Sequence, residues 1–269
     1  MYYYSVNGQP INQLSITDRS IAYGDGIFTT ANIVAGKIEL LPKHIERLTQ
    51  GCQQLGLPKP NFVQLTDEIT AAAQNHQQAV LKIIITAGEG GRGYSRRGIN
   101  SPNVIISISS FPRHYIDWQD KGISLGLSEQ KLGINPMLLG LKHLNRLEQV
   151  LIRRELDQRN EDDILLLNIN DEIIETSCAN IFWFVDEQLY TPDIKDSGVA
   201  GLMRALILEH IPCKLIKKAR LSDFYHASEI FICNSVMGIM PVRQFQDKTF
   251  SIEKVKILQS AIQTRLNKN

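Results

Sequence analysis

Long hydrophobic runs are missing from this sequence. The longest apolar stretches, such as KIIIT and ILLL, are far shorter than the roughly 20 residues that a membrane-spanning helix needs. The first residues, MYYYSVNGQP, lack a basic segment followed by an apolar one, so we expect no signal peptide. These absences predict a soluble, cytoplasmic protein that does not use a membrane as a partner.

Paired cysteines and an excess of one charge are also missing. The four cysteines are scattered and none forms a C-x-x-C pair, so neither a disulfide framework nor a zinc site is expected. With 29 basic and 28 acidic residues, the net charge of +1 favours neither nucleic acid nor a membrane surface. No Walker loop is present, which argues against a P-loop site. The G-x-G-x-x-G pattern from Gly88 to Gly93 is followed by a second β-rich run and not by the helix that a dinucleotide site requires.

The 269 residues are 43% hydrophobic, enough for one large domain or two smaller ones. Strand-like clusters with few helices predict an α+β fold rather than a doubly wound parallel sheet. The apolar pattern breaks at FPRHYIDWQDKG. We therefore predict an N-terminal α/β domain over residues 1–111, a linker over 112–118, and a β-rich C-terminal domain over 119–269 that carries Lys142.

Local patterns predict individual elements. IFTTANIVAGKIELL is typical of two strands around a turn at Ala35 and Gly36. PKHIERLTQGCQQLGL predicts a helix with Pro42 in its first turn and Gly56 at its exit. NRLEQVLIRREL predicts another helix, whose apolar residues share one face and are Leu144, Leu147, Val150 and Leu151.

Lys142 lies in LGLKHLNRLEQ, after the apolar run MLLGL. A desolvated lysine can form a Schiff base with a carbonyl group, whereas most lysines are solvated surface charges. The apolar run before Lys142 favours partial burial of this lysine.

Glu175, in EIIETSCANIFWF, ends an apolar strand. Its carboxylate could hold the proton of a pyridinium nitrogen, although the sequence alone favours an ordinary glutamate at the end of a hairpin.

Three features could bind a phosphate group. Arg47 lies on the HIERL helix and offers a guanidinium fork. The helix GLMRAL would present free backbone N–H groups after Gly201. The turn CNSVMG follows a strand. Each of these features is weak evidence for a phosphate site, because Arg47 could be a solvated charge and Gly201 an ordinary helix cap.

Two glycine-rich segments could line a pocket. In RSIAYGDGIFTT, Gly24 and Gly26 allow another group to approach closely, and only one of Thr29 and Thr30 can face a site because they alternate along a strand. The loop GEGGRGYSRRG could carry Arg92 and Tyr94 over a pocket, with the arginine holding a substrate carboxylate. A flexible, solvated loop is about equally expected from composition.

Taken together, RSIAYGDGIFTT, HIERL, GGRGYS, GLKHLNRLEQVL, ETSCANIFW and GLMR resemble the fold type IV pyridoxal phosphate enzymes, from the N-terminus to about Val242. Within that group the chain most resembles the aminodeoxychorismate lyases, and KHLNRLEQVLIR and GGRGYS are the most specific segments. The resemblance implies a D-amino acid aminotransferase-like fold of two α/β domains, a homodimer, and pyridoxal 5'-phosphate as cofactor.

The resemblance also implies residue roles. Lys142 would bear the cofactor and act in catalysis with Thr30. Glu175 would pair with the pyridine nitrogen, and Asn180 would support the cofactor. The phosphate would be bound by Arg47 and by backbone N–H groups of Leu202, Met203, Ser235 and Val236. The resemblance also implies side chains that contact the substrate, which are Tyr23, Phe28, Thr30, Arg92 and Tyr94.

The implied reaction converts 4-amino-4-deoxychorismate to p-aminobenzoate and pyruvate. A transaminase of the same fold, acting on D-amino acids or branched-chain amino acids, would use the same Lys142, Glu175 and Arg47. The segments FTT and GGRGYS, with Leu147, favour the lyase. A non-catalytic α+β binding domain and a cofactor-free Schiff-base aldolase stay open as different classes of function.

Overall fold

A computed structural model describes residues 2–194 and 197–266 of the chain. The chain forms two compact units. The first comprises Met1–Phe111 and Leu141–Asn145, and the second comprises Pro112–Gly140 and Arg146–Asn269. No helix in the described part of the chain combines the length and the apolar character needed to cross a membrane.

The first unit is an antiparallel sheet with helices packed on it. The five strands lie in the order β1-β5-β4-β2-β3, and β2 pairs with β4 along its whole length. The elements are β1 (Tyr3–Val6), α1 (Arg19–Tyr23), β2 (Gly26–Val34), β3 (Lys37–Ile38), α2 (Leu41–Leu55), α3 (Phe62–Ala73), β4 (Gln78–Thr86) and β5 (Val104–Ser110).

Strand β2 presents different side chains on its two faces. These side chains alternate, so that Ile27, Thr29, Ala31 and Ile33 are buried while Phe28 and Thr30 are half-buried on the opposite face. Helix α2 lies close to the buried face through Gly51. A Cβ on Gly51 would meet Ile27 Cδ1 at 2.8 Å, so glycine permits this close packing.

Two local predictions are confirmed in this unit. Ala35 and Gly36 both have positive φ in the turn between β2 and β3. Pro42 lies in the first turn of α2, and Gly56 ends that helix in the left-handed conformation with its N–H donating to carbonyls of the last turn.

The Lys142 segment (residues Leu141–Asn145) belongs to the first unit, not to the C-terminal domain in which the sequence placed it. The reason is a set of backbone contacts with β2. Phe28 N donates to Lys142 O at 2.9 Å, and Leu144 N donates to Gly26 O at 3.0 Å. The segment therefore lies along β2 like a short additional strand.

The second unit is built on a nine-stranded mixed sheet. The main order is β11-β10-β9-β12-β13-β6-β7-β8, and β8 also pairs with β9, which closes six strands into a ring. The elements are α4 (His114–Lys121), β6 (Ile123–Leu132), a 3-10 turn (Pro136–Leu138), α5 (Leu147–Leu156), β7 (Asp163–Asn168), β8 (Ile173–Thr176), β9 (Asn180–Val185), β10 (Gln188–Pro192), α6 (Leu202–His210), β11 (Cys213–Ile216), α7 (Leu221–Tyr225), β12 (Glu229–Asn234), β13 (Gly238–Phe245), β14 (Lys248–Thr249) and α8 (Glu253–Leu266).

Two regions of the second unit differ from the expectations. Residues 112–118, predicted as a linker, lie in this unit and include the first turn of α4. In α5, Leu144 precedes the helix, and the predicted apolar face is exposed, with Leu147 at 71% and Val150 at 60%. Instead Ile152 and Leu156 of the same helix are buried, in a cluster with residues of β6, β7 and β8.

Candidate active site

Lys142 is half-buried, and its position is fixed by the backbone hydrogen bonds of its segment to β2. Its Nζ lies 4.6 Å from the centroid of the Phe28 ring. A second amine, Nζ of Lys82 on β4, lies 5.1 Å from the same ring. The negative face of an aromatic ring attracts ammonium groups. Phe28 therefore helps to orient Lys142 over β2.

Thr29 and Thr30 point to opposite faces of β2, as the alternation predicts. Thr29 is fully buried, and its Oγ1 lies 2.6 Å from Nδ1 of His44 on α2. Thr30 is half-buried on the same face as Phe28. Of the two hydroxyls, only that of Thr30 lies on the face where Phe28 meets Lys142.

Arg47 lies one helical turn after His44 on α2 and is half-buried. His44 is 1% exposed, and burial lowers the pKa of its imidazole to about 3, with further lowering by the charges of Arg47 and Lys142. His44 is therefore neutral beside two cations. Sequence reasoning assigned no role to this histidine, although its spacing of three residues from Arg47 in HIERL places the two side chains on one helix face.

Glu175 is a buried carboxylate in the second unit, only 6% exposed. It lies on β8 directly opposite Asn180 on β9. Its Oε2 accepts a hydrogen bond from the backbone N–H of Val199 at 2.9 Å. Burial lowers the pKa of the neighbouring Arg146, and the charge of Glu175 opposes that shift. Arg146 thus supplies a positive charge to the surroundings of Glu175, a contribution that the sequence did not reveal.

Asn180 is brought next to the N-terminus of α6 by two glycines. Its Nδ2 donates to Val199 O at 2.9 Å. A Cβ on Gly201 would lie 2.0 Å from Asn180 Oδ1, and a Cβ on Gly198 would lie 3.1 Å from Glu175 Oε2. Glycine at both positions lets the backbone approach these side chains closely. Glu175, Asn180 and the start of α6 are therefore neighbours.

The N-terminus of α6 offers unsatisfied backbone donors. Gly201 is its N-cap residue and supplies no side-chain hydrogen bond. The first N–H groups of a helix have no partner within that helix, and the helix dipole makes this end positive. The N–H groups of Leu202 and Met203 therefore suit an anion, as the resemblance implies.

The turn between β12 and β13 supports only part of its implied role. Asn234 Oδ1 accepts hydrogen bonds from Val236 N and Met237 N, both at 2.9 Å. A phosphate would have to compete with Asn234 for the N–H of Val236, so that prediction fits poorly. Ser235 is half-buried, and within residues 2–194 and 197–266 neither its N–H nor its hydroxyl has a partner.

The glycine-rich loop (residues 88–98) carries Arg92 and Tyr94, and both are exposed. The ring of Tyr94 lies 5.5 Å from that of Tyr23, between centroids. The loop is not simply solvated, because the buried guanidinium of Arg19 donates hydrogen bonds to several of its carbonyls. Composition alone did not predict this anchoring.

Two relatives with similar sequences are both named as lyases that act on aminodeoxychorismate. An aminodeoxychorismate lyase from Vibrio harveyi is 41% identical over 241 residues, which cover 88% of this chain and 89% of that protein. The crystal structure of a 4-amino-4-deoxychorismate lyase from Pseudomonas aeruginosa matches with a TM-score of 0.89 and 35% identity, covering 99% of this chain and 98% of the other.

A more distant structure supports the fold alone. The branched-chain aminotransferase from Thermoproteus uzoniensis has a TM-score of 0.85 at 18% identity, covering 98% of this chain and 94% of the other. These matches confirm the fold type IV architecture expected from the sequence motifs. The model of the family described as amino-transferase class IV matches residues 26–245. The chain therefore belongs to the amino-transferase class IV family.

Proposed function

We propose that this chain is a pyridoxal phosphate-dependent lyase that converts 4-amino-4-deoxychorismate to p-aminobenzoate and pyruvate. The observation that carries the proposal is the 41% identity to a protein named aminodeoxychorismate lyase, which extends over 89% of that protein. The ordered Lys142, on the Phe28 and Thr30 face of β2, adds a suitable reactive amine.

The side chains and backbone donors suit pyridoxal 5'-phosphate. Lys142 would serve for covalent attachment and Arg47 for the phosphate. Further candidates for the phosphate are the N–H groups of Leu202 and Met203, together with Ser235, whose N–H and hydroxyl are unbonded within the described chain. The buried carboxylate of Glu175 suits a protonated ring nitrogen, with Asn180 beside it.

When bound, this cofactor supplies an electron sink that stabilises negative charge on the substrate carbon that loses a proton. Glu175 would hold the ring nitrogen in its protonated form. Lys142 would act as the general base that removes the proton from C4 of the substrate. Loss of the enolpyruvyl group from C3 then leaves an aromatic ring, which favours the products.

Thr30 and Lys142 would deliver the proton that converts the departing enolpyruvate to pyruvate, since both lie on the Phe28 side of β2. We propose that Arg92 pairs with a substrate carboxylate. Tyr23, Phe28 and Tyr94 would contribute aromatic surface to the substrate.

The deciding experiment combines a product assay with chemical labelling. Purified protein given 4-amino-4-deoxychorismate should release p-aminobenzoate and pyruvate in equal amounts without an amino acceptor. Borohydride treatment of the protein with its cofactor should leave a pyridoxyl group on Lys142. Lys82 is the internal control, because its amine also lies over the Phe28 ring. Amino transfer to a 2-oxo acid without pyruvate release would indicate a transaminase instead.

We also propose that the protein is a cytoplasmic homodimer, as the resemblance implies. One surface that would suit burial in a dimer is the exposed apolar side of α5, with Leu147, Val150 and Leu151. Light scattering at several protein concentrations should give a mass of twice 30.4 kDa. A monomer at all concentrations would contradict the proposal.

A further inference from the structure

One buried guanidinium group donates hydrogen bonds to several backbone carbonyls of the glycine-rich loop. Arg19 is 4% exposed. Its Nη1 donates to Gly93 O at 3.0 Å and Ser95 O at 3.3 Å, and its Nη2 donates to Tyr94 O at 3.2 Å. A lysine has a single nitrogen and could not reproduce this planar set of donors. The loop conformation therefore depends on Arg19.

Asp25 holds Arg19 and a loop arginine together. Its Oδ2 accepts hydrogen bonds from Nε of Arg19 and from Nε of Arg96, each at 2.8 Å, and its Oδ1 pairs with Nη2 of Arg96. Burial raises the pKa of this carboxyl, but the hydrogen bonds and charges of Arg96 and Arg19 outweigh burial and leave it below its usual value. Asp25 is therefore a buried anion between two cations.

The two glycines that flank Asp25 contact the Lys142 segment. Gly24 O accepts a hydrogen bond from Asn145 Nδ2 at 3.2 Å, and Gly26 O accepts one from Leu144 N at 3.0 Å. A Cβ on Gly24 would lie 2.7 Å from Asn145 Oδ1, and one on Gly26 would lie 2.8 Å from Leu144 Cδ1. A side chain at Gly24 would therefore push the segment away, and one at Gly26 would also meet the Ile85 carbonyl of β4 at 2.5 Å.

One tripeptide, Gly24-Asp25-Gly26, thus contacts two different parts of the chain. Its backbone carbonyls hold the segment of Lys142, while its carboxylate holds the loop of Arg92 and Tyr94 through two arginines. Arg96 also donates to the carbonyls of Leu55 and Gly56 at the end of α2. The loop is therefore tied to the start of β2, which also holds the Lys142 segment, and to the end of α2.

We propose that Asp25, with Arg19 and Arg96, is a positioning residue that sets the place of the glycine-rich loop relative to Lys142 and so determines how tightly substrate is held. This inference rests on the proposed function, in which Arg92 and Tyr94 contact the substrate. Asp25 acts through these residues and does not contact the reacting atoms. Its loss changes substrate binding, not cofactor loading.

Arg96 and Arg97 provide a matched pair for the test. Arg96 is half-buried and bonded to Asp25, whereas the adjacent Arg97 is exposed and its guanidinium has no partner within the described chain. Each of Arg96→Ala and Arg97→Ala removes one positive charge from the same loop. Only Arg96→Ala removes the hydrogen bonds between the loop arginine and Asp25. Asp25→Asn is the second variant, which keeps the shape of the side chain and removes its charge.

Two readouts are measured on the intact protein with its cofactor. Chymotrypsin cleavage after the exposed Tyr94 reports on opening of the loop, and it should accelerate by about tenfold or more in Arg96→Ala and Asp25→Asn. KM for 4-amino-4-deoxychorismate should rise by a similar factor, while the cofactor Kd stays within about twofold. Arg97→Ala should match the wild type in both measurements.

Equal cleavage rates and equal KM values in Arg96→Ala and Arg97→Ala would overturn the proposal. A loss of cofactor affinity in parallel with the rise in KM would also overturn it, because that pattern indicates general destabilisation. If the wild type forms no p-aminobenzoate, the proposed function fails, but the cleavage rates still test whether Asp25 ties the loop.

Discussion

Thr29 and His44 form a fully buried hydrogen bond, with 2.6 Å between Oγ1 and Nδ1, that joins strand β2 to helix α2. The other ring nitrogen of His44, Nε2, is buried and has no hydrogen-bond partner within the described chain. Protonation would place a third positive charge near Arg47 and Lys142. The bond therefore joins α2 to the sheet, and burial together with the charges of Arg47 and Lys142 keeps the imidazole neutral.

This arrangement predicts a pH dependence of stability. His44 has a folded-state pKa of about 3 against 6.5 for the ordinary side chain, so the unfolded state binds its proton first as pH falls. The contribution of neutral His44 to the free energy of unfolding is fully present above pH 6.5. It is lost as pH falls towards 3, by up to about 1.4 kcal/mol per pH unit. Urea unfolding between pH 4 and 7 measures this slope.

The matched comparison for that slope uses His44→Gln and His226→Gln, because His226 is exposed. In the first variant, the slope of unfolding free energy against pH should decrease by the amount that one proton contributes. The second variant should keep the wild-type slope. Identical slopes in the two variants would contradict a neutral, buried His44.

Gly201→Ala should damage the start of α6 by steric overlap alone. The backbone of Gly201 has φ −67°, which alanine accepts, but the new Cβ would lie 2.0 Å from Asn180 Oδ1. We expect a loss of about 1–3 kcal/mol in unfolding free energy and weaker cofactor binding. Gly133→Ala is the control, since its Cβ would meet only the end of the Glu148 side chain at 3.2 Å. A fully stable Gly201→Ala protein would show that Asn180 can move away.

Glu175→Gln should separate cofactor binding from turnover. The amide is similar in shape and can still accept from Val199 N, so the cofactor should bind nearly as well. A neutral amide holds a pyridinium proton poorly, and we expect kcat to fall by about 100-fold. Cofactor titration and steady-state kinetics measure the two effects. An unchanged kcat would remove Glu175 from the proposed reaction.

Asn234 allows the stability of the β12–β13 turn to be separated from anion binding. Asn234→Ala removes the acceptor for Val236 N and Met237 N, and should cost about 1–2 kcal/mol of stability. Asn234→Asp keeps an acceptor and adds a negative charge. It should be more stable than the alanine variant yet bind the cofactor more weakly, because of repulsion with the phosphate. Equal cofactor Kd values in the two variants would place the phosphate away from this turn.

Sequence patterns predicted helix α2 well because its signals are local. Pro42 and Gly56 act through their own backbone preferences, whatever surrounds them. The sequence pattern also predicted helix α5, but it left the packing of that helix open. Periodicity shows that Leu147 and Val150 share a face, but not which face meets the sheet, and Ile152 and Leu156 make that contact instead.

The site was predicted from the sequence only where motifs were distinctive. The alternation of Thr29 and Thr30 followed from strand geometry, and resemblance indicated Lys142 and Glu175. The neutral state of His44 depends on burial between α2 and β2 and on the charge of Lys142, a residue distant in the chain, which no local pattern contains. Asp25 likewise gains its two arginine partners only when residues 19 and 96 meet in the fold.

The discontinuity of the first unit has a consequence for biosynthesis. A nascent chain that has reached Phe111 contains all five strands of that sheet, yet Gly26 O and Phe28 N still lack the partners that Leu144 and Lys142 provide. At typical translation rates these partners follow after about 2–7 s. During synthesis, the edge of β2 that receives the lysine therefore stays open to water, chaperones or a neighbouring nascent chain until residue 145 has emerged from the ribosome.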